Sequence, residues 1–95
     1  MSSVTGVCLF MSLSDKDKKA PINVWLFANN WFKMSDVANY TGGSKHPQWV
    51  EFSAGHNYFD DEKFYEFLKT LEWQFPALLV TQGEHQESFT IRSLP

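Results

Sequence analysis

The 95-residue chain has a single cysteine, Cys8, and one cysteine cannot close an internal disulfide. Small secreted domains commonly need several such bridges, so the count points to a reducing compartment. Long hydrophobic runs are also missing. Runs such as Val7 to Met11 and Ala77 to Val80 fall far short of the roughly 20 apolar residues that cross a bilayer. Met1 to Gly6 carries no Lys or Arg side chain, and the run after it is too short for a secretory core. The expectation is therefore a cytoplasmic protein with no membrane partner. Positive charge is scarce as well: 8 Lys and Arg against 11 Asp and Glu leave a net charge of −3. Nucleic-acid binding rests on clustered Lys and Arg, so no nucleic-acid partner is expected. The one basic cluster, Lys16-Asp17-Lys18-Lys19, reads as a solvated loop offset by Asp15 and Asp17.

Signatures of chemistry are equally thin. Cys8 sits within Val7-Cys8-Leu9-Phe10-Met11 with no His or Lys nearby to lower its pKa, so it reads as a buried thiol acting as a small hydrophobe. There is no nucleophile elbow, dinucleotide fingerprint or phosphate-binding glycine loop, and Gly42-Gly43-Ser44-Lys45 lacks the first glycine of a P-loop. The histidines, His46, His56 and His85, all fall in expected loops. Zinc needs three or four ligands with close pairs; only His56 with Asp60 or Asp61 has comparable spacing, and Asp60 already has a role as a helix cap. No catalytic residue, metal ligand or cofactor is expected, and a third reading, behind the two given below, is an enzyme working through His56 and Asp60 or Asp61.

What the sequence has in excess is rings: nine Phe, four Trp and three Tyr. A buried ring covers about 150–250 Å², more in sum than so small a core can easily enclose, so some rings are expected at the surface.

Hydrophobic periodicity gives the elements. Val4 to Leu13 alternates with both faces largely apolar, as in an inner strand, and Ser14 to Lys19 followed by Pro21 reads as a loop. A second strand is expected next, with Ile22, Val24, Leu26 and Ala28 on the core side and Asn23, Trp25, Phe27 and Asn29 on the other. Asn29-Asn30 should bend the chain, since Asn tolerates left-handed backbone. Ser35 can cap a short helix through Tyr40, stopped by Gly42-Gly43. Trp49 to Ala54 alternates as a third strand, closed by Gly55-His56-Asn57. The clearest element is a helix over about 61–73: Asp60 is its N-cap, Phe59 can staple onto Phe64, and Phe64, Phe67, Leu68 and Leu71 form one apolar stripe. Ala77 to Gln82 and Ser88 to Leu94 then form a hairpin. The fold expected is a single α+β domain over residues 1–95. It has an antiparallel sheet of four to five strands with one main helix (about 61–73) packed on one face, in the order β-β-(short helix)-β-α-β-β.

The ten residues Ser35-Asp36-Val37-Ala38-Asn39-Tyr40-Thr41-Gly42-Gly43-Ser44 resemble the helix-turn-helix of lactose-repressor-type regulators, in which a glycine turn and a serine cap precede the recognition helix. Lys45 to Phe52 departs from that pattern by alternating like a strand, and the chain has no basic face, so DNA binding does not follow.

Exposed aromatics are the side chains enriched in binding hot spots. The leading functional expectation is thus a non-catalytic module that binds a larger protein as an inhibitor, immunity protein, antitoxin or accessory factor. Its contact residues would be Trp25, Phe27, Trp31 and Trp73 with an acidic rim that includes Glu62, Glu66, Glu84 and Glu87. The same rings also fit a homodimer interface. The alternative is a small-ligand-binding domain with an aromatic pocket and a His as its polar handle.

Overall fold

A computed structural model describes residues 4–36 and 49–95, with Trp49 described by its backbone alone. The strands are β1 (Val4–Ser12), β2 (Ser35–Asp36), β3 (Trp49–Asn57), β4 (Ala77–Gly83) and β5 (Thr90–Leu94). They form one antiparallel sheet in the order β2-β3-β1-β4-β5. Two helices, α1 (Lys19–Ala28) and α2 (Asp61–Lys69), pack on one face, and a 3-10 segment, Leu13–Lys18, leads into α1. Because β3 lies between β1 and β2, and β1 between β3 and β4, the two β-α-β units interleave in a split β-α-β arrangement, to which β5 adds an edge strand. The α+β class and the five-stranded antiparallel sheet agree with the sequence. No helix among the described residues is long and apolar enough to cross a membrane.

β1 is the central strand, and its alternation sorts the molecule. Val7, Leu9 and Met11 point under the helices and are almost fully buried, while Cys8 and Phe10 lie on the uncovered face. Leu9 is flanked by Phe52 of β3 and Leu79 of β4, and Met11 by Val50. Onto this row α1 places Ile22 and Leu26, and α2 places Phe64 and Leu68, each with no exposure to solvent. These four residues lie at i, i+4 spacing within their helices, which puts each pair on one face.

The helix expected over 61–73 is present but ends at Lys69, where Thr70 takes the C-cap position. Asp60 caps it as expected, its carboxylate accepting the Lys63 backbone N–H at 3.0 Å. Phe59 and Phe64 make the expected staple, edge to face with centroids 5.4 Å apart.

The second strand, Ile22 to Asn29, is not there; this segment is α1. Every residue from Val24 to Ala28 is apolar, so a period of 2 and a period of 3.6 fit equally well, and the β-branched and aromatic residues tilted the reading toward a strand. Pro21 falls in the first turn, where its missing N–H costs nothing. The preceding segment is also not a solvated loop. Ser12 caps the 3-10 segment by accepting the Ser14 N–H at 3.2 Å, and Asp15 and Lys18 are buried. Asp15 accepts the N–H groups of Gln74 (2.9 Å) and Phe75 (3.1 Å), tying the entrance of α1 to the loop after α2.

Ser35 and Asp36 pair with Ser53 and Phe52 as a short edge strand rather than opening a helix. The remainder of the expected short helix and of the repressor-like segment lies outside the described residues, as does His46.

Candidate functional site

Two groupings of side chains stand out. The first is an aromatic cluster at the interface of the helices. Trp25 of α1 stacks on Phe67 of α2 with centroids 4.8 Å apart and planes within 11° of parallel. It also lies 5.9 Å from Trp31 and 5.7 Å from Phe64. Phe59 meets Trp31 edge to face at 4.8 Å.

The end of α1 explains why Trp31 returns to this cluster. Asn30 takes a left-handed conformation (φ 66°) and its N–H donates to Phe27 O, while the Trp31 N–H donates to Leu26 O at 2.9 Å. Those two bonds are a Schellman cap, and the apolar contact that accompanies such caps is here the Trp25–Trp31 pair. Asn23 then pins the next segment, accepting the Met34 N–H at 2.8 Å and donating to the Met34 carbonyl at 3.2 Å. Trp31 Nε1 donates to Asn57 O at 3.3 Å.

His56 completes this cluster. The sequence reading put it in a loop, but it lies in β3, opposite Thr5 of β1, and is 1 % exposed. The period-two phase of β3 explains this, because Val50, Phe52, Ala54 and His56 share the covered face. Its imidazole lies 4.7 Å from the Phe59 ring and 6.5 Å from Trp31. Neither ring nitrogen has a hydrogen-bond partner among the described residues. Burial lowers its pKa from the ordinary 6.5, favouring the uncharged ring. Asp60 and Asp61, which sequence spacing grouped with His56, are engaged elsewhere: Asp60 caps α2, and Asp61 accepts from Arg92 (2.9 Å) and from the Thr81 hydroxyl (3.2 Å). Among the described residues no three His, Cys, Asp or Glu side chains converge as a metal ion requires.

The second grouping is the outer face of α1. Amphipathic helices direct polar residues to water, and α2 does so with Glu62, Lys63, Glu66, Lys69 and Thr70. The outward positions of α1 are Ala20, Pro21, Val24, Phe27 and Ala28, all exposed and all apolar. Val24 is 69 % exposed and Phe27 82 %, and Phe32, just beyond the helix, is 77 % exposed. The charged side chains that adjoin α1 in sequence or bond to its end are Lys16, Lys19, Lys33 and Lys63 against Asp17 and Asp36, with Lys19 paired to Asp36 at 3.1 Å and Lys63 donating to Asn29 at 2.8 Å.

The contact residues expected from sequence therefore separate. Phe27 is on the apolar face, and Trp25 and Trp31 are half-buried in the ring cluster, where they hold the helices together. Trp73 lies past the end of α2, half-buried, with its indole N–H donating to Leu68 O at 2.9 Å. Glu62 and Glu66 lie on the outer side of α2 and Glu84 bonds the Val4 N–H, so these acidic residues do not rim the α1 face. Val24, expected on the core side, is exposed instead, and Phe32 was not among the expected contact residues. The signal available for Val24 was a helix with no polar residue on its outer side, visible only once the period is known.

The sheet's uncovered face carries Cys8, Phe10, Leu78, Val80 and Ile91, with a shallow hollow beside Cys8 that Phe89 and Gln82 help to line. Cys8 is half-buried rather than buried, because it points away from the helices. Burial, and secondarily the Glu51 carboxylate, push its thiol pKa above 9.0.

The fold defines an α+β protein built as a split β-α-β sheet with one added edge strand. No protein-family model, curated protein or solved structure matches the chain. Function must then be argued from the two groupings themselves.

Proposed function

We propose that this chain is a small non-catalytic protein-binding module whose outer α1 face, with Phe32, covers a site on a larger protein. An inhibitor, immunity protein, antitoxin or accessory factor would work in this way. The observation that carries this reading is the exposure of Val24 and Phe27 on the side of α1 that has no polar residue, with exposed Phe32 just beyond the helix. An exposed apolar patch of this kind on a helix marks a surface for another molecule.

The partner is a different protein rather than a second copy. At these exposures the three side chains present about 400 Å² of apolar surface, half of the roughly 800 Å² that each side of a standard interface buries. A second copy would also set one lysine-rich rim against another. An apolar groove with an acidic rim meets both conditions, and α1 inserted in it is recognised by its anchors at 24 and 27. We place this association in a reducing compartment, in keeping with the lone Cys8.

The test is capture by the wild-type chain against Val24→Ser/Phe27→Ser and Lys16→Glu/Lys33→Glu variants, each checked for fold by circular dichroism. The reading expects one partner lost with the first variant and weakened with the second, with binding that falls as salt rises. Sedimentation of the purified chain distinguishes the competing occupant. A dimer at micromolar concentration that the Val24→Ser/Phe27→Ser variant turns into a monomer would refute this assignment.

A further inference from the structure

We propose that the chain forms a homodimer through the uncovered face of its sheet, with the large side chains of each copy seated on the small ones of the other. The residues on that face break the usual pattern. An antiparallel sheet covered on one side ordinarily turns polar residues outward on the other. The outward positions of β3 obey, with Glu51, Ser53 and Asn57. Those of β1 and β4 are Cys8, Phe10, Leu78 and Val80, and Ile91 of β5 stands beside them, 61 % exposed. The runs Val7 to Met11 and Ala77 to Val80 thus have the two-sided apolar character of strands covered on both faces, and the helices cover only one.

Strand register shows why the occupant is a second copy. It sets Gly55 beside Gly6 and Ser53 beside Cys8, which makes one corner of the face small, with the hollow beside Cys8 at its edge. It sets Phe10 beside Leu78 and Val80 beside Ile91, which makes the diagonally opposite part large. A two-fold axis parallel to the sheet and between these parts lays each copy's large side chains on the other's small ones, and such a contact closes on itself. Charge agrees. Glu51 is the one charged side chain among the described strand residues of this face, so two copies bring no cluster of like charge together, and a strongly charged partner would find little to pair with.

The area suffices for a stable pair. At about 4.8 Å between strands and about 3.4 Å per residue, the strands measure about 500 Å² laid flat. The relief of their side chains carries the accessible area into the roughly 600–1,000 Å² that each side of a standard interface buries. The helices lie on the other face of the sheet, so the dimer leaves the outer side of α1 free and does not rest on its docking role.

The experiment is sedimentation equilibrium of the full chain from about 1 to about 100 μM, with circular dichroism as the check on folding. Wild type is expected to reach twice the 11.0 kDa of one chain. Ile91→Lys, which charges the large part, and Ser53→Trp, which fills the small one, should each raise the dissociation constant at least about tenfold, while Val24→Ser/Phe27→Ser stays dimeric. Wild type that remains a monomer throughout overturns the proposal, whether or not another protein then occupies the face. So does a dimer that either folded sheet variant leaves intact, or one that the α1 variant dissociates. Should neither sheet variant fold, wild type decides alone. Cys8 lies within the contact, so its alkylation should slow several-fold from the dilute to the concentrated end, and a rate independent of concentration overturns the proposal.

Discussion

Replacing Asp15 by alanine should be the most damaging single change outside the apolar core. Its side chain has no solvent exposure, and its two oxygens accept the N–H groups of Gln74 and Phe75 while Lys18 Nζ lies 3.4 Å away. Burial pushes the carboxyl pKa up, but the two backbone N–H bonds and the lysine more than offset this and hold it below 3.8. Asp15→Ala leaves two N–H groups short of an acceptor and Lys18 without its buried partner. Hydrogen bonds to a charged group contribute about 1.5–3 kcal/mol each, and breaking a buried ion pair from one side costs about 3–5 kcal/mol. These overlap, so a loss of about 3–5 kcal/mol is expected. A chain of this length has only about 5–14 kcal/mol in total. Urea unfolding followed by tryptophan fluorescence would show the midpoint falling by about 2 M, taking a slope near 2 kcal/mol/M. The pH dependence supplies an internal control. A carboxylate whose folded pKa is depressed contributes stability that is present above its unfolded pKa and is lost as pH falls through the folded value. The gap between wild type and variant should therefore be full at neutral pH and close below about pH 4. A neutral-pH loss under about 1 kcal/mol, or a gap that stays constant into acid, would show that the Asp15 bonds do not hold the 74–75 loop.

Two further outcomes are expected. Phe64→Ala removes a ring with no solvent exposure that touches both Trp25 and Phe59, and should cost about 3–5 kcal/mol in the same unfolding assay; under about 1.5 kcal/mol would mean the cluster repacks around the gap. Cys8, with its pKa raised by burial and by Glu51, should be alkylated several-fold more slowly in the folded chain than in urea at neutral pH, and faster as pH rises, read by mass spectrometry; equal rates would place the thiol in water.

The exposed apolar face of α1 and the ring cluster depend on the same helix, and this is where sequence and tertiary structure part. β1, β3, the terminal hairpin and α2 with its Asp60 cap and Phe59 staple were legible because each carries a local signal: a clean alternation, a capping residue, or an apolar stripe with one period. Antiparallel pairing was expected from strands arriving in blocks, but the observed order is β-α-β-β-α-β-β, and the antiparallel sheet arises because the two split β-α-β units interleave. The segment from Val24 to Ala28 carries no such signal, since a run apolar at every position satisfies both periods. Its state is decided by what it packs against: as part of α1 it lays Leu26, with Ile22, on the sheet and Trp25 on Phe67. Only that choice turns Phe27 and Val24 to solvent and brings Trp31 back over His56. Asp15 shows the same division. Its charge and its place beside lysines read as solvated surface, and nothing local records that two N–H groups some sixty residues later would need its oxygens. Composition and periodicity thus determined the class, the sheet and one helix, because those follow from patterns within a window. The burial of His56 and Asp15 and the exposure of Phe27 and Phe32 were decided only when distant elements closed on one another, which no window of sequence contains.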